Sequence, residues 1–189
     1  MRTSDVEILM VPGWLGAGPE HWQSRWERKL STARRVEQED WLAPDKDKWV
    51  GNIIKAVAAA QKPVVLVAHS IGAIAVVHAG LKLPGDLVAG AFLVAAADVD
   101  NAEHWPVTEG YMWPDAESGF APVPLSRLPF PSMLVVSSDD PYCQPERARH
   151  FAAAWGAEVV EAGALGHVNA VSGHGPWPEG VLRFGRFLA

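Results

Sequence analysis

Residues 63–72, PVVLVAHSIG, decide how this chain is read. Pro63 to Ala68 is β-branched and apolar at successive positions, as a central strand of a parallel sheet requires when both its faces are buried. Ile71 to Leu83 reads as a helix of small and aliphatic residues, suited to packing close against that sheet. Between them His69-Ser70-Ile71-Gly72 leaves room only for a sharp turn. Strand, turn and helix in this order are the setting of a nucleophile elbow, whose serine sits on strained backbone between small neighbours. Gly72 meets the downstream requirement, and Ala68 stands upstream where glycine is usual. The plainer role of Ser70 is to cap the helix. The two roles are compatible, because a helix N-terminus also favours developing negative charge.

Outward from this stretch, extended and helical patterns alternate. Glu7 to Val11 (EILMV) reads as a buried strand, ended by Pro12-Gly13. Gly18-Pro19-Glu20 looks like a helix start, and Trp22, Trp26 and Leu30 recur on one face of that helix. Val36 to Trp41 is a more polar strand candidate for an edge. Lys46 to Ala60 is a helix that buries Trp49, Ile53 and Val57. Val88 to Ala95, Ser132 to Ser137 and Ala157 to Glu161 are further strands, with helices at Gln144 to Trp155 and Glu179 to Leu188. The alternation predicts an α/β fold, a mostly parallel sheet of about six strands with helices on both faces. Asp98 to Pro129, rich in proline and tryptophan and without a period, is an irregular loop or small cap within one domain spanning residues 1–189.

The chain of 189 residues carries a net charge of −6, which gives no electrostatic reason to expect nucleic acid or an anionic membrane as partner. Its single cysteine, Cys143, allows no intrachain disulfide and fits a reducing compartment. No apolar run approaches the about eighteen residues of a membrane span, and Ile8 to Val11 is too short for a signal-peptide core. A cytoplasmic protein is the expectation. Oligomeric state is left open.

A serine hydroxyl needs a base at neutral pH, and the base needs an orienting partner. Where an elbow serine works this way, the acid follows it in the chain and the histidine comes last. Ser137-Ser138-Asp139-Asp140-Pro141 follows a strong strand and supplies the acid. Asp140 is preferred over Asp139, with Asp98 and Asp100 after the preceding strand as further alternatives. The plainer role of the aspartate pair is to open the next turn or helix. His167, in Gly163-Ala164-Leu165-Gly166-His167, lies just past the last strand on a loop that can return the imidazole over the sheet. His174 is its rival, and the other histidines, His69 among them, fall outside the required chain position. An oxyanion needs backbone donors, each worth about 10²–10³ in turnover. The N–H groups of Ile71 and of Trp14, in Pro12-Gly13-Trp14-Leu15-Gly16, are the candidates. That glycine-rich stretch lacks the Gly-Lys-Ser/Thr ending of a phosphate loop. Trp113 and Trp177 are candidates to border an apolar substrate pocket, as is His21, although loop tryptophans can equally well staple loops to a core. No ligand cluster suggests a metal or an organic cofactor.

These residues together resemble the small serine hydrolases related to retinoblastoma-binding protein nine and bacterial YdeN. The resemblance rests on Pro12-Gly13-Trp14 with His21-Trp22-Gln23-Ser24-Arg25-Trp26, then Asp40-Trp41 and Pro44. It continues through His69-Ser70-Ile71-Gly72-Ala73, Ser138-Asp139-Asp140-Pro141-Tyr142 and Gly166-His167-Val168-Asn169. The tail Gly173-His174-Gly175-Pro176-Trp177-Pro178-Glu179-Gly180 is closest to the bacterial branch. The resemblance implies a compact α/β-hydrolase core, hydrolysis of an ester or amide, and a triad of Ser70, Asp140 and His167. Retinoblastoma binding does not carry over, since Pro141 and Pro145 stand where the Leu-x-Cys-x-Glu motif needs leucine and glutamate around Cys143. The expected function is cleavage of a small-molecule carboxylic ester, or amide, through an acyl-enzyme. The alternatives are a non-catalytic binding module on the same fold, and an acyltransferase or lyase.

Overall fold

The computed structural model describes residues 1–189, apart from the side chains of Asp115 and Ala116. Six strands form one sheet: β1 (Glu7–Val11), β2 (Ala33–Arg35), β3 (Val64–His69), β4 (Val88–Val94), β5 (Ser132–Val136) and β6 (Glu158–Glu161). All pairings are parallel and the spatial order is β2-β1-β3-β4-β5-β6. The chain moves outward in one direction from β1 to β2, then crosses back to β3 and proceeds the other way. Parallel sheets place their ligands outside the carboxyl ends of the strands where the order reverses, here between β1 and β3. Val11 pairs with Ala68 at that end, so the loops after β1 and β3 emerge side by side.

Alternation along the strands builds two cores. Val64, Leu66 and Ala68 of β3 face one side, with α2 (Lys46–Ala58), α3 (Ile71–Gly80) and α5 (Pro145–Trp155) packed over them. Val65 and Val67 face the other, under α1 (Trp22–Lys29) and α6 (Pro178–Leu188). Helix α3 is buried along nearly its whole length, which explains its uniformly apolar composition. Phe92 of β4, Trp26 and Phe184 form an aromatic cluster beneath α1 and α6.

Two sequence expectations are corrected. The edge strand is not Val36–Trp41 but Ala33–Arg35. Val36 makes the last rung, its N–H donating to the Met10 carbonyl, after which the chain leaves the sheet and Trp41 offers its carbonyl to Leu15. The first helix starts at Trp22 rather than at 18–20, because Gly18 closes a turn by accepting from the His21 N–H and His21 then caps the helix. Both edges of the sheet are short and charged. Arg34 and Arg35 of β2 pair with Glu7 and Glu27, while Glu158 and Glu161 of β6 pair with Arg186 and Arg149.

The segment 98–129 contains a 3₁₀ turn at Val99–His104, an isolated bridge between Thr108 and Tyr111, and α4 (Asp115–Ser118). Arg147 of α5 ties its start through Asp98 and Asp100, and the Trp155 indole donates to Pro124 near its end. Asp98 and Asp100 are thereby engaged in holding the segment. Among the described residues no helix is long and apolar enough to cross a membrane.

Candidate active site

Ser70 stands between β3 and α3 at φ 58° and ψ −131°, a backbone strained for a residue with a side chain. Its surroundings enforce this. A Cβ at Gly72 would lie 2.4 Å from the Val11 and Pro12 carbonyl oxygens, and one at Gly13 would lie 2.6 Å from the Ser70 Cβ. Glycine at both positions is what allows the loop after β1 to press against the elbow.

His167 reaches the elbow from the loop after β6. The Ser70 hydroxyl is 2.9 Å from His167 Nε2, and His167 Nδ1 donates to Asp140 at 2.8 Å from Oδ1 and 3.0 Å from Oδ2. Asp140 Oδ1 also accepts the Tyr142 N–H at 2.9 Å. All three side chains are buried. The structure thus brings Ser70, His167 and Asp140 into one hydrogen-bonded line in which Nε2 is free to accept the serine proton.

The rival groups stand elsewhere. Asp139 accepts the Ser137 hydroxyl at 2.8 Å and the Gly166 N–H at 2.7 Å, so it clamps the loop that carries His167. These hydrogen bonds hold its carboxyl below the usual range. His174 contacts Ser172 and the edge of Trp177.

Ile71 follows Ser70 in the chain and Trp14 lines the same cleft, and among the described residues neither backbone N–H has a hydrogen-bond acceptor. The loop bearing Trp14 is held by the Leu15 N–H on the Trp41 carbonyl and by the Trp14 indole on the Leu42 carbonyl, at 2.9 and 3.0 Å. Leu15 and Gly16 both take positive φ to turn it.

Around Ser70 is an open cleft of about 330 Å³, walled by Trp14, Ile71, Trp105 and Tyr142 with His21 and His167. His21 lines the cleft, and its Nδ1 caps α1 at the Gln23 N–H. Burial, followed by the neighbouring His167 and Arg35, pushes its pKa down to about 4. Trp113 lies one step away, edge-on to Trp14 at 5.6 Å, and lines an adjoining cavity. The expected place of Trp177 at the mouth is corrected: it is 2 % exposed and packed on Trp22 and Trp26, where the bare Cα of Gly180 gives its ring room.

Sequence reasoning missed two supports. His69 is buried, its Nε2–H donates to the His167 carbonyl at 2.7 Å, and its ring is 4.8 Å from that of His167. Burial lowers its pKa well below the ordinary value, with His167 and His21 adding to the effect, so the ring is neutral. Gln23 donates its side-chain amide to the Val11 and Val67 carbonyls, fastening β1 to β3 at the point where the site opens. His69 directly precedes the serine and Gln23 follows His21 by two, and both stand in stretches that carry the family resemblance, but neither signal points to a bond with a distant carbonyl. Among the described residues no group of three or more His, Cys, Asp or Glu side chains could hold a metal ion.

The sheet order, the elbow on β3 and the histidine after the last strand define an α/β-hydrolase. Residues 8–186 match the serine hydrolase family, and the chain belongs to that family and, within it, to the YdeN-like hydrolases. A YdeN-like hydrolase of Pectobacterium atrosepticum is 33 % identical with a TM-score of 0.83, over 98 % of this chain and 91 % of the other. The ydeN gene product of Bacillus subtilis shares the fold at 15 % identity and TM-score 0.73, over 96 % and 98 % of the two chains. Est1E of Butyrivibrio proteoclasticus shares it at 14 % and 0.65, over 94 % and 87 %. No curated protein matches the chain.

Proposed function

We propose that this hydrolase cleaves a small carboxylic ester with Ser70 as nucleophile, His167 as base and Asp140 as the group that orients it. The observation that carries the reading is the line from Ser70 Oγ to His167 Nε2 at 2.9 Å and from His167 Nδ1 to Asp140 at 2.8 Å, ending on a serine at positive φ. Ser70 Oγ attacks the ester carbonyl as its proton passes to Nε2. The N–H groups of Trp14 and Ile71 receive the oxyanion, and Asp140 stabilises the imidazolium. On collapse, the same proton goes to the departing alkoxide. Water, deprotonated by His167, then attacks the acyl-Ser70 ester and releases the acid.

The test is labelling by a fluorophosphonate together with hydrolysis of p-nitrophenyl acetate. Wild type is expected to label at Ser70 and turn over, with both lost in Ser70→Ala and turnover lost in His167→Ala. Activity surviving in Ser70→Ala would sink the assignment of the nucleophile.

A further inference from the structure

The cleft around Ser70 does not end at Trp14. A second cavity of about 270 Å³ adjoins it, and Trp14, Trp105 and Thr108 line both. Its walls are mainly Trp105, Pro106, Val107, Tyr111, Met112 and Trp113. Trp113 packs on Trp14 at 5.6 Å and on Trp105 at 5.1 Å, so the wall consists of mutually braced rings.

Its position relative to the reacting groups favours one half of a substrate over the other. His167 must give its proton to the leaving alkoxide, which places the alcohol beside His167 and residues 169–171. None of residues 69–71 or 167–171 lines the second cavity, which opens from the first between Trp14, the residue offered to the oxyanion, and Trp105 and Thr108. With the alcohol held at His167, the acyl chain is the substituent left to extend that way.

Charge and exposure narrow its chemistry. No lysine or arginine lines either cavity among the described residues, and the only carboxylates are Glu20 and Glu103. Glu20 is already paired with Arg25, so an anionic substrate would find no free counter-charge in the lining and a like charge at Glu103. Val107 and Met112 beside the second cavity are 97 % and 86 % exposed, an apolar surface that a bound hydrocarbon would cover.

We infer that the cavity between Trp105 and Trp113 is the acyl subsite, and that it selects neutral esters of medium-length or aryl carboxylic acids. This rests on the hydrolase reading of Ser70 and His167 given above.

The experiment measures kcat/KM in two series, p-nitrophenyl esters from acetate to octanoate and acetate esters from methyl to hexyl. Wild type, Trp113→Ala and the surface variant Met112→Ser are compared. Wild type is expected to gain about tenfold or more from acetate to octanoate, since each buried methylene contributes. Both variants should lose much of that gain, mainly through KM, and leave the slope of the alcohol series as it was. An octanoate analogue ending in a carboxylate should be slower than octanoate itself. A flat acyl series in a wild type that turns over acetate would overturn the acyl subsite alone. So would a gain that both variants keep, or a loss confined to the alcohol series. If wild type hydrolyses no ester, acetate included, the hydrolase reading fails and takes the subsite with it.

Discussion

The ring of His69 donates from Nε2 to the main-chain carbonyl of His167 at 2.7 Å, so the residue before the elbow serine holds the backbone of the base. Trp22 does the same for the next carbonyl, that of Val168, at 2.9 Å. Replacing His69 by leucine would leave a buried carbonyl without a donor, costing about 1–3 kcal/mol of stability. It would also loosen His167, and turnover should fall by up to about 10²-fold. His69→Gln can supply an N–H in place of the imidazole and should recover part of both. Urea unfolding and kcat on p-nitrophenyl acetate, measured on the two variants, check this. Equal losses in both would mean that the ring's packing, rather than its N–H, is what matters.

His21 ties stability to pH. Its pKa is about 4 in the folded protein against an ordinary 6.5, so between those values the unfolded chain binds a proton that the folded chain refuses. Stability from this group is therefore complete above about pH 6.5, falls as the solution is acidified, and has gone by about pH 4. The interval corresponds to roughly 3 kcal/mol at most. His69 and His78, also lowered by burial, act in the same direction. His21→Asn keeps a capping side chain for α1 and should flatten the slope by up to one proton. Urea unfolding at a series of pH values between 7 and 4.5 reads that slope, and an unchanged slope would contradict a neutral His21.

Gly13 is where the loop after β1 meets the nucleophile. The Cβ of Gly13→Ala would come within 2.6 Å of the Ser70 Cβ, so either the serine or the loop must move. A displacement of about 1 Å at a reacting group can cost about 10²-fold. Gly13→Ala should therefore lose turnover of that order while remaining folded, as circular dichroism and a thermal melt would show. Full activity would mean that the loop yields without disturbing the oxyanion donors.

How much of this could be read in advance followed from how local each signal was. Strand β3 announced itself because a strand buried on both faces has no polar position to confuse the pattern. The elbow followed from its place between that strand and α3. Asp140 and His167 were legible because chain order restricts where each can fall. Strand β2 was not, since Ala33-Arg34-Arg35 has no apolar period, and Val36, the buried residue that drew attention, lies just past it. Trp177 was misplaced because loop position alone does not tell a tryptophan at a cleft from one folded back onto a core. The roles of His69 and Gln23 depend on carbonyls distant in sequence, which no local pattern encodes.

Cys143 is buried, and its thiol is held far above its ordinary pKa by burial first and then by the charges of Asp98 and Asp140. A thiol held protonated is a poor nucleophile. Iodoacetamide should leave the native protein unmodified and alkylate it once unfolded, as intact mass would show. Cys143→Ala should retain ester hydrolysis within about twofold, as expected for a small change away from the reacting atoms. Rapid alkylation of the native state would place the thiol in solvent instead.

The charged margins of the sheet bear on how the protein behaves when crowded. An open edge offers unpaired backbone groups to any extended segment nearby, and short, charged edge strands resist such additions. Here each edge-strand charge also has an internal partner: Arg34 with Glu7, Arg35 with Glu27, Glu158 with Arg186 and Glu161 with Arg149. Charged edge strands of this kind make the addition of a foreign strand on either side less favourable. The rim that closes the fold is thus of the kind that disfavours templated association along the sheet's own margins.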